Sequence, residues 1–146
     1  MNQDVTQRNA TRNQSTADFQ LKRVFIFDNR FKEGAFKNTT AAAITLLPAS
    51  LVARDTAIVD GFKPVTAANL ADVIGISANE QSIDLVVNGT TNINICTKGT
   101  IEAIHLALPA TVTLNTAIGN KTLKDVLEGL GFHIKENTLE MTKFDN

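Results

Sequence analysis

The chain has 146 residues, 43% of them hydrophobic, and a net charge of −1, which describes one globular domain without the basic footprint of a nucleic-acid binder. It holds 18 Thr and 14 Asn, no Trp or Tyr, one Cys and two His. Thr suits a pleated sheet and Asn a tight turn, whereas zinc folds need clustered Cys or His, disulfide scaffolds need paired Cys, and base-stacking modules need aromatic platforms.

Residues 1–20 offer only Met1, Val5, Ala10, Ala17 and Phe19 as apolar groups, too little buried surface to offset the entropy of ordering them. They lack the apolar core of a secretory signal, and no run in the chain approaches the roughly 20 apolar residues of a membrane span, so neither export by that route nor membrane insertion is expected. Such a segment is either an unstructured terminus or a flexible polar arm that orders on a partner. Residues 21–37 connect it to the rest. Within them Val24-Phe25-Ile26-Phe27 is a short β-prone run flanked by Lys22, Arg23 and Arg30. On a tether it suits addition to another subunit's sheet edge; otherwise it is the first strand of the domain's own sheet. Residues 1–40 hold seven bases and four acids, the remainder seven bases and eleven acids, a balance that gives mild electrostatic steering at most.

Residues 38–146 form the expected compact β domain. Ile44–Leu47 ends at Pro48, Leu51-Val52 resumes, and Ala57-Ile58-Val59 meets Phe62–Val65 across Asp60-Gly61, a hairpin signal. Pro64 cannot donate to a ladder and belongs at an edge or bulge. Residues 66–72 suit a helical turn, and Val73–Ile76 a strand in which Gly75 marks a bulge or a close backbone approach. Ile83–Val87 and Asn92–Cys96 read as a second hairpin around Asn88-Gly89. Residues 100–108, taken as a strand, place Ile104, Leu106 and Leu108 on one face and Ile101, Ala103, His105 and Ala107 on the other, which makes the second set a candidate contact with a neighbouring subunit. Thr122 and Asp125 form a capping pattern before the stripe Leu123, Val126, Leu127 and Leu130, and Gly131 ends the single convincing helix at about 122–130. Phe132 and Ile134, then Leu139 and Met141, suggest two short closing strands.

Reactive groups are sparse. His105 lies near Glu102 and Cys96 in sequence, but strand alternation points 102 and 105 to opposite faces, and no paired-His or C-x-x-C motif supports a ligand set, so His105 is expected to pack. His133 alternates with Phe132 and Ile134 and should face solvent. Ser15, Ser50, Ser77 and Ser82 lie in no nucleophile elbow, and Cys96 is expected as a small core residue. Asp55, Asp60 and Asp72 are turn acids without calcium-loop spacing. The N-x-S/T triplets at Asn9, Asn13, Asn38, Asn88 and Asn120 are those chance supplies in a chain so rich in Asn and Thr. No enzyme, metal or cofactor is expected, and lone Cys96 suits folding in a reducing cytoplasm.

Leu51-Val52-Ala53-Arg54, then Gly61–Val65, Asp72-Val73-Ile74-Gly75-Ile76, Ile83–Val87 and the closing Thr122–Phe132 together resemble the small head decoration proteins of tailed bacteriophages across about residues 38–134. The longer polar N-terminus departs from that family and is similar to the related head-fibre or auxiliary capsid group. The resemblance implies a mainly β fold with one short C-terminal helix, a β-tulip domain, and an extended N-terminal arm that reaches the major capsid protein. It further implies synthesis in the host cytoplasm, homotrimers on the capsid exterior of the virion, and a mechanical role in cementing the expanded shell. Phe19, Val24, Phe25, Ile26 and Phe27 become candidate capsid contacts, and Ile101, Ala103, His105 and Ala107 the candidate oligomer interface. The other reading is a soluble carbohydrate- or small-ligand-binding β module, against which the lack of Trp and Tyr stands.

Overall fold

A computed structural model describes residues 24–136. The strands are β1 (Phe25–Lys37), β2 (Ile44–Leu46), β3 (Leu51–Asp55), β4 (Gly61–Pro64), β5 (Val73–Ser77), β6 (Ile83–Leu85), β7 (Thr90–Glu102), β8 (Ala117–Ile118), β9 (Lys121–Thr122) and β10 (Phe132–Lys135). One α-helix, α1 (Leu123–Leu130), and 3-10 turns at Leu70–Asp72 and Ala103–His105 complete the described chain. The fold is therefore mainly β with one helix near the C-terminal end.

The main sheet runs β1-β4-β3-β5-β7, and β7 pairs back onto β1, so these five strands close into a barrel. Closure is antiparallel at β1–β7 and parallel at β1–β4. β7 is longer than the barrel needs. Its residues at 95–96 pair with β5, and those from Gly99 to Glu102 continue beyond to hold β10 in parallel. At that end β1, β7 and β10 form a three-stranded extension. A separate ribbon of β2 and β6 has the register Ile44↔Leu85 to Leu46↔Ile83.

Alternation along the strands divides the apolar residues between two cores. Leu51 and Val52 belong to different clusters, as do Ile95 and Cys96, which places the clusters on opposite faces of the sheet. One gathers Phe36, Val52, Phe62, Ile93 and Ile95 with Leu46 and Leu85 of the ribbon. The other gathers Val24, Leu51, Ile76, Cys96, Ile101, Phe132 and Ile134 under α1, whose Leu123 and Leu127 are fully buried.

The capping signature forms as expected. Asp125 N–H donates to Thr122 Oγ1 at 3.3 Å, Thr122 N–H donates to Asp125 Oδ2 at 3.0 Å, and Gly131 ends the helix with φ 109°. Both N–H groups are ones a helix start leaves without an intrahelical partner. Gly75 is a close approach: a Cβ there would lie 2.6 Å from Cys96 O, and the β3–β5 register shifts beside it. Pro64 is the last residue of β4, past the point where β1 pairing stops.

Several expected partners differ. β1 begins at Phe25 and belongs to the barrel, so the compact unit does not start at residue 38. Ala57-Ile58-Val59 is not a strand. The Asp60-Gly61 hairpin joins β3 to β4, with Ile58 N–H bonded to Asp55 O and Gly61 N–H to Ile58 O, and with φ 51° at Asp60 alone of the pair. The Asn88-Gly89 turn exists, with Gly89 N–H on Val86 O and Asn88 at φ 62°, but β6 pairs with β2 instead of β7.

Asn38, which is fully buried, fixes the turn in this arrangement. Its Nδ2 donates to Ala42 O at 2.9 Å and stands 3.2 and 3.1 Å from Leu85 O and Val86 O, while its Oδ1 accepts from Thr40 N–H at 3.0 Å. Its backbone bonds Gly89 O and Asn88 N–H. These bonds hold the turn against the end of β1, while β6 takes its ladder from β2. Lastly, residues 100–108 are not one strand: β7 ends at Glu102 and a 3-10 turn follows. The expected strand over Leu139 and Met141, the arm over residues 1–20, and Phe19 lie outside the described residues.

Candidate interaction surface

The first half of β1 is built on one unusual juncture. Val24 is buried in the core under α1, and Phe25 packs against that core while its ring meets Phe31 edge-on at 5.5 Å and 84°. Between them the register with β7 slips, at Phe25/Phe27, Phe27/Arg30 and Arg30/Phe31. Asp28 takes φ 52° and turns the chain so that Asn29 reaches inward, its Nδ2 donating to Thr100 O at 3.2 Å and lying 3.5 Å from Cys96 Sγ. Gly99 makes room for this. At φ 129° it carries no Cβ, and one built there would stand 2.6 Å from Asn29 Nδ2.

With Asn29 tucked in, its neighbours are turned out. Phe27 is 72% and Phe31 52% exposed. Asp28 and Arg30 lie 3.9 Å apart with both side chains about two-thirds in water, a pairing of little energy, and Lys32 reaches Asp60 at 3.2 Å. On the edge away from β7, β1 pairs with β4 only at Ala35 and Phe36. Among the described residues, positions 25–33 have no strand on that side.

The expected site residues divide. Val24 and Phe25 are structural, Ile26 is half-buried, and Phe27 alone of that run stands out in water. Phe31 carries no distinguishing mark in the local pattern: its partner on β7 is Cys96, far along the chain, and the register shift beside it shows only in the fold. At the other candidate surface Ile101 is fully buried and is no contact for a neighbouring subunit. Ala103 and His105 sit half-buried in the 3-10 turn, and Ala107 donates its N–H to Ala49 O at 3.0 Å. The turn also overturns the expected separation of Glu102 and His105. Their Oε2 and Nε2 come within 3.8 Å, because a 3-10 turn stacks i and i+3, with the Glu102 side chain only 10% exposed. Ile104 is the residue this turn exposes.

Cys96 lies fully buried with Sγ donating to Lys98 O at 3.2 Å, and burial pushes its thiol pKa above the ordinary value. No group of three His, Cys, Asp or Glu among the described residues could hold a metal ion. No described helix is long and apolar enough to cross a membrane. A groove of about 240 Å³ runs between the β2–β3 connection and residues 107–109, lined by Ile44, Leu47, Leu51, Val65, Leu108 and Pro109. The chain matches no protein-family model, and no curated protein matches it by sequence.

Proposed function

We propose that the chain is a structural protein of a tailed-phage virion that binds the outside of the capsid as an oligomer, stabilising the shell or anchoring a head fibre. In this reading the barrel is the β-tulip-like body and residues 1–23 are the arm that meets the major capsid protein. The observation that carries it is the root of β1. A tether under tension needs a fixed end, and Val24 and Phe25 are sunk in or packed on the core while β1 runs against β7 from Phe25↔Ile101 to Lys37↔Thr90. Fully extended, the 23 residues before Val24 span at most about 80 Å. Several arms on one oligomer multiply individually weak contacts. The arm contacts then lie before Val24, with Phe19 as their aromatic group.

The test mixes the full chain with expanded and with precursor shells of the phage that encodes it and images both by electron microscopy. Density on the outside of expanded shells, lost when residues 1–23 are removed, is the expected result. Expanded shells left bare by the full chain refute the reading. The groove beside Leu47 favours a second reading, a small-ligand-binding module, and a reproducible rise in melting temperature with a glycan or metabolite would support it.

A further inference from the structure

We propose that two copies of this chain pair about a two-fold axis near Asn29, the bulged half of β1 in one lying antiparallel to the same segment in the other. A two-fold contact is isologous: if residue i meets residue j, then j meets i, so one patch must complement itself. The segment Phe27-Asp28-Asn29-Arg30-Phe31 does so about its centre. Antiparallel placement on Asn29 sets Phe27 against Phe31 of the second copy, twice, and Asp28 against Arg30, twice. All four side chains are exposed in the single chain. Moving the axis one residue to Arg30 sets Phe27 against Glu33 and Phe31 against Asn29. Moving it to Asp28 sets Phe27 against Asn29 and Arg30 against Ile26. Only the central register matches both rings and both charges.

The local backbone selects this occupant over a generic strand. Bulges interrupt β1 on both sides of Asn29, and Asp28 at φ 52° turns it out of extended geometry, so positions 27–31 are a poor template for continuous strand addition. Side chains must carry the contact. The chain's own Asp28–Arg30 approach, at 3.9 Å between exposed groups, is weak enough to be exchanged for the same pair across the axis. Asn29 stays bonded to Thr100 O and keeps the turn rigid, so the patch is preorganised. β7 lies on the opposite edge of β1, which leaves the two barrels on either side of the junction.

The pairing stands on the barrel alone and is independent of any shell. Sedimentation velocity of the full chain over a concentration series is expected to show monomer and dimer in exchange. D28K and R30E are each expected to weaken the dimer at least about tenfold, equivalent to 1.4 kcal/mol, because each creates a patch of one sign. An equimolar mixture of the two variants should recover a heterodimer, since one patch is then basic and the other acidic. F27S, at an exposed position, should also leave monomer with an unchanged melting temperature. Wild type that remains monomeric at every concentration, a trimer without a dimeric species, or a dimer indifferent to these substitutions overturns the proposal. So does failure of the mixed variants to associate while each is folded by circular dichroism.

Discussion

Replacing Asn38 by alanine removes the clamp that holds the 85–89 turn to the end of β1. The amide donates to Ala42 O and faces Leu85 O and Val86 O, and its oxygen takes the Thr40 N–H, all around a fully buried side chain. Alanine withdraws the amide from all four groups, of which Ala42 O keeps the Thr40 hydroxyl as a donor at 2.8 Å, and leaves a space about the size of the lost amide. A buried polar group stripped of its partner costs about 1 to 3 kcal/mol, and water reaches some of the four through the half-exposed Thr40 side, so a loss of about 3 kcal/mol is expected. For a domain of this length each kcal/mol moves Tm by roughly 2 to 4 °C, giving a drop of about 6 to 12 °C. Thermal unfolding followed by circular dichroism measures it. N38D is the sharper probe, because it keeps the shape and turns a carboxylate oxygen toward the carbonyls; it should be at least as damaging as alanine. Amide exchange at Asn88, whose N–H bonds Asn38 O, should accelerate ahead of the barrel amides. An N38A protein that melts within about 2 °C of wild type, or an N38D protein indistinguishable from it, refutes the clamp.

Three further outcomes follow from separate features. G75A places a methyl 2.6 Å from the Cys96 carbonyl, which cannot turn aside, so denaturant unfolding should show a loss of about 1 to 3 kcal/mol. T122A removes the helix cap and should cost about 1 kcal/mol by the same assay. The Thr122 backbone N–H, and after it the Thr122 hydroxyl, holds the Asp125 carboxyl below its ordinary value of 3.8, so its contribution is complete above that pH and is lost as pH falls through the lowered folded value; D125N should flatten the acid limb of the stability profile, whereas T122A, which keeps the backbone donor, should flatten it only in part. Native Cys96 should resist a thiol-specific reagent at pH 8 and react stoichiometrically once the chain is unfolded, and rapid labelling of native protein would contradict its burial.

The parts legible in the sequence are those whose physics is local. The Thr122 and Asp125 exchange of bonds, the apolar stripe behind it and Gly131 all lie within ten residues, and α1 forms where they place it. Asp60 and Asn88 turn the chain as their type suggests. What they join was not legible, because β6 pairs with β2, about 40 residues earlier, and its turn is tied to Asn38, 47 residues away from Leu85. Alternation in residues 100–108 fits a strand, yet the pairing partner β10 runs only to Lys135, opposite Glu102, and β1 ends its register at Ile101. Without a ladder the next residues close on themselves in a 3-10 turn. Val24 and Phe25 read as part of a tether for the opposite reason: their partners, Ile101 and its neighbours, lie more than 70 residues on and leave no mark in the local pattern.

That separation has a consequence for synthesis. β1 is made first, but its main partner is complete only at Glu102, roughly 65 residues after Lys37, or about 3 to 13 s at ordinary elongation rates. For that interval Phe25-Ile26-Phe27 is a β-prone segment with both edges open, the kind of sequence that recruits other nascent chains. Asp28, Arg30 and Lys32 place charges directly after it, the flanking pattern that limits such recruitment. The same charges that flank the exposed Phe27 in the finished barrel thus stand beside it earlier as gatekeepers, limiting premature ladders until β7 emerges to close the fold.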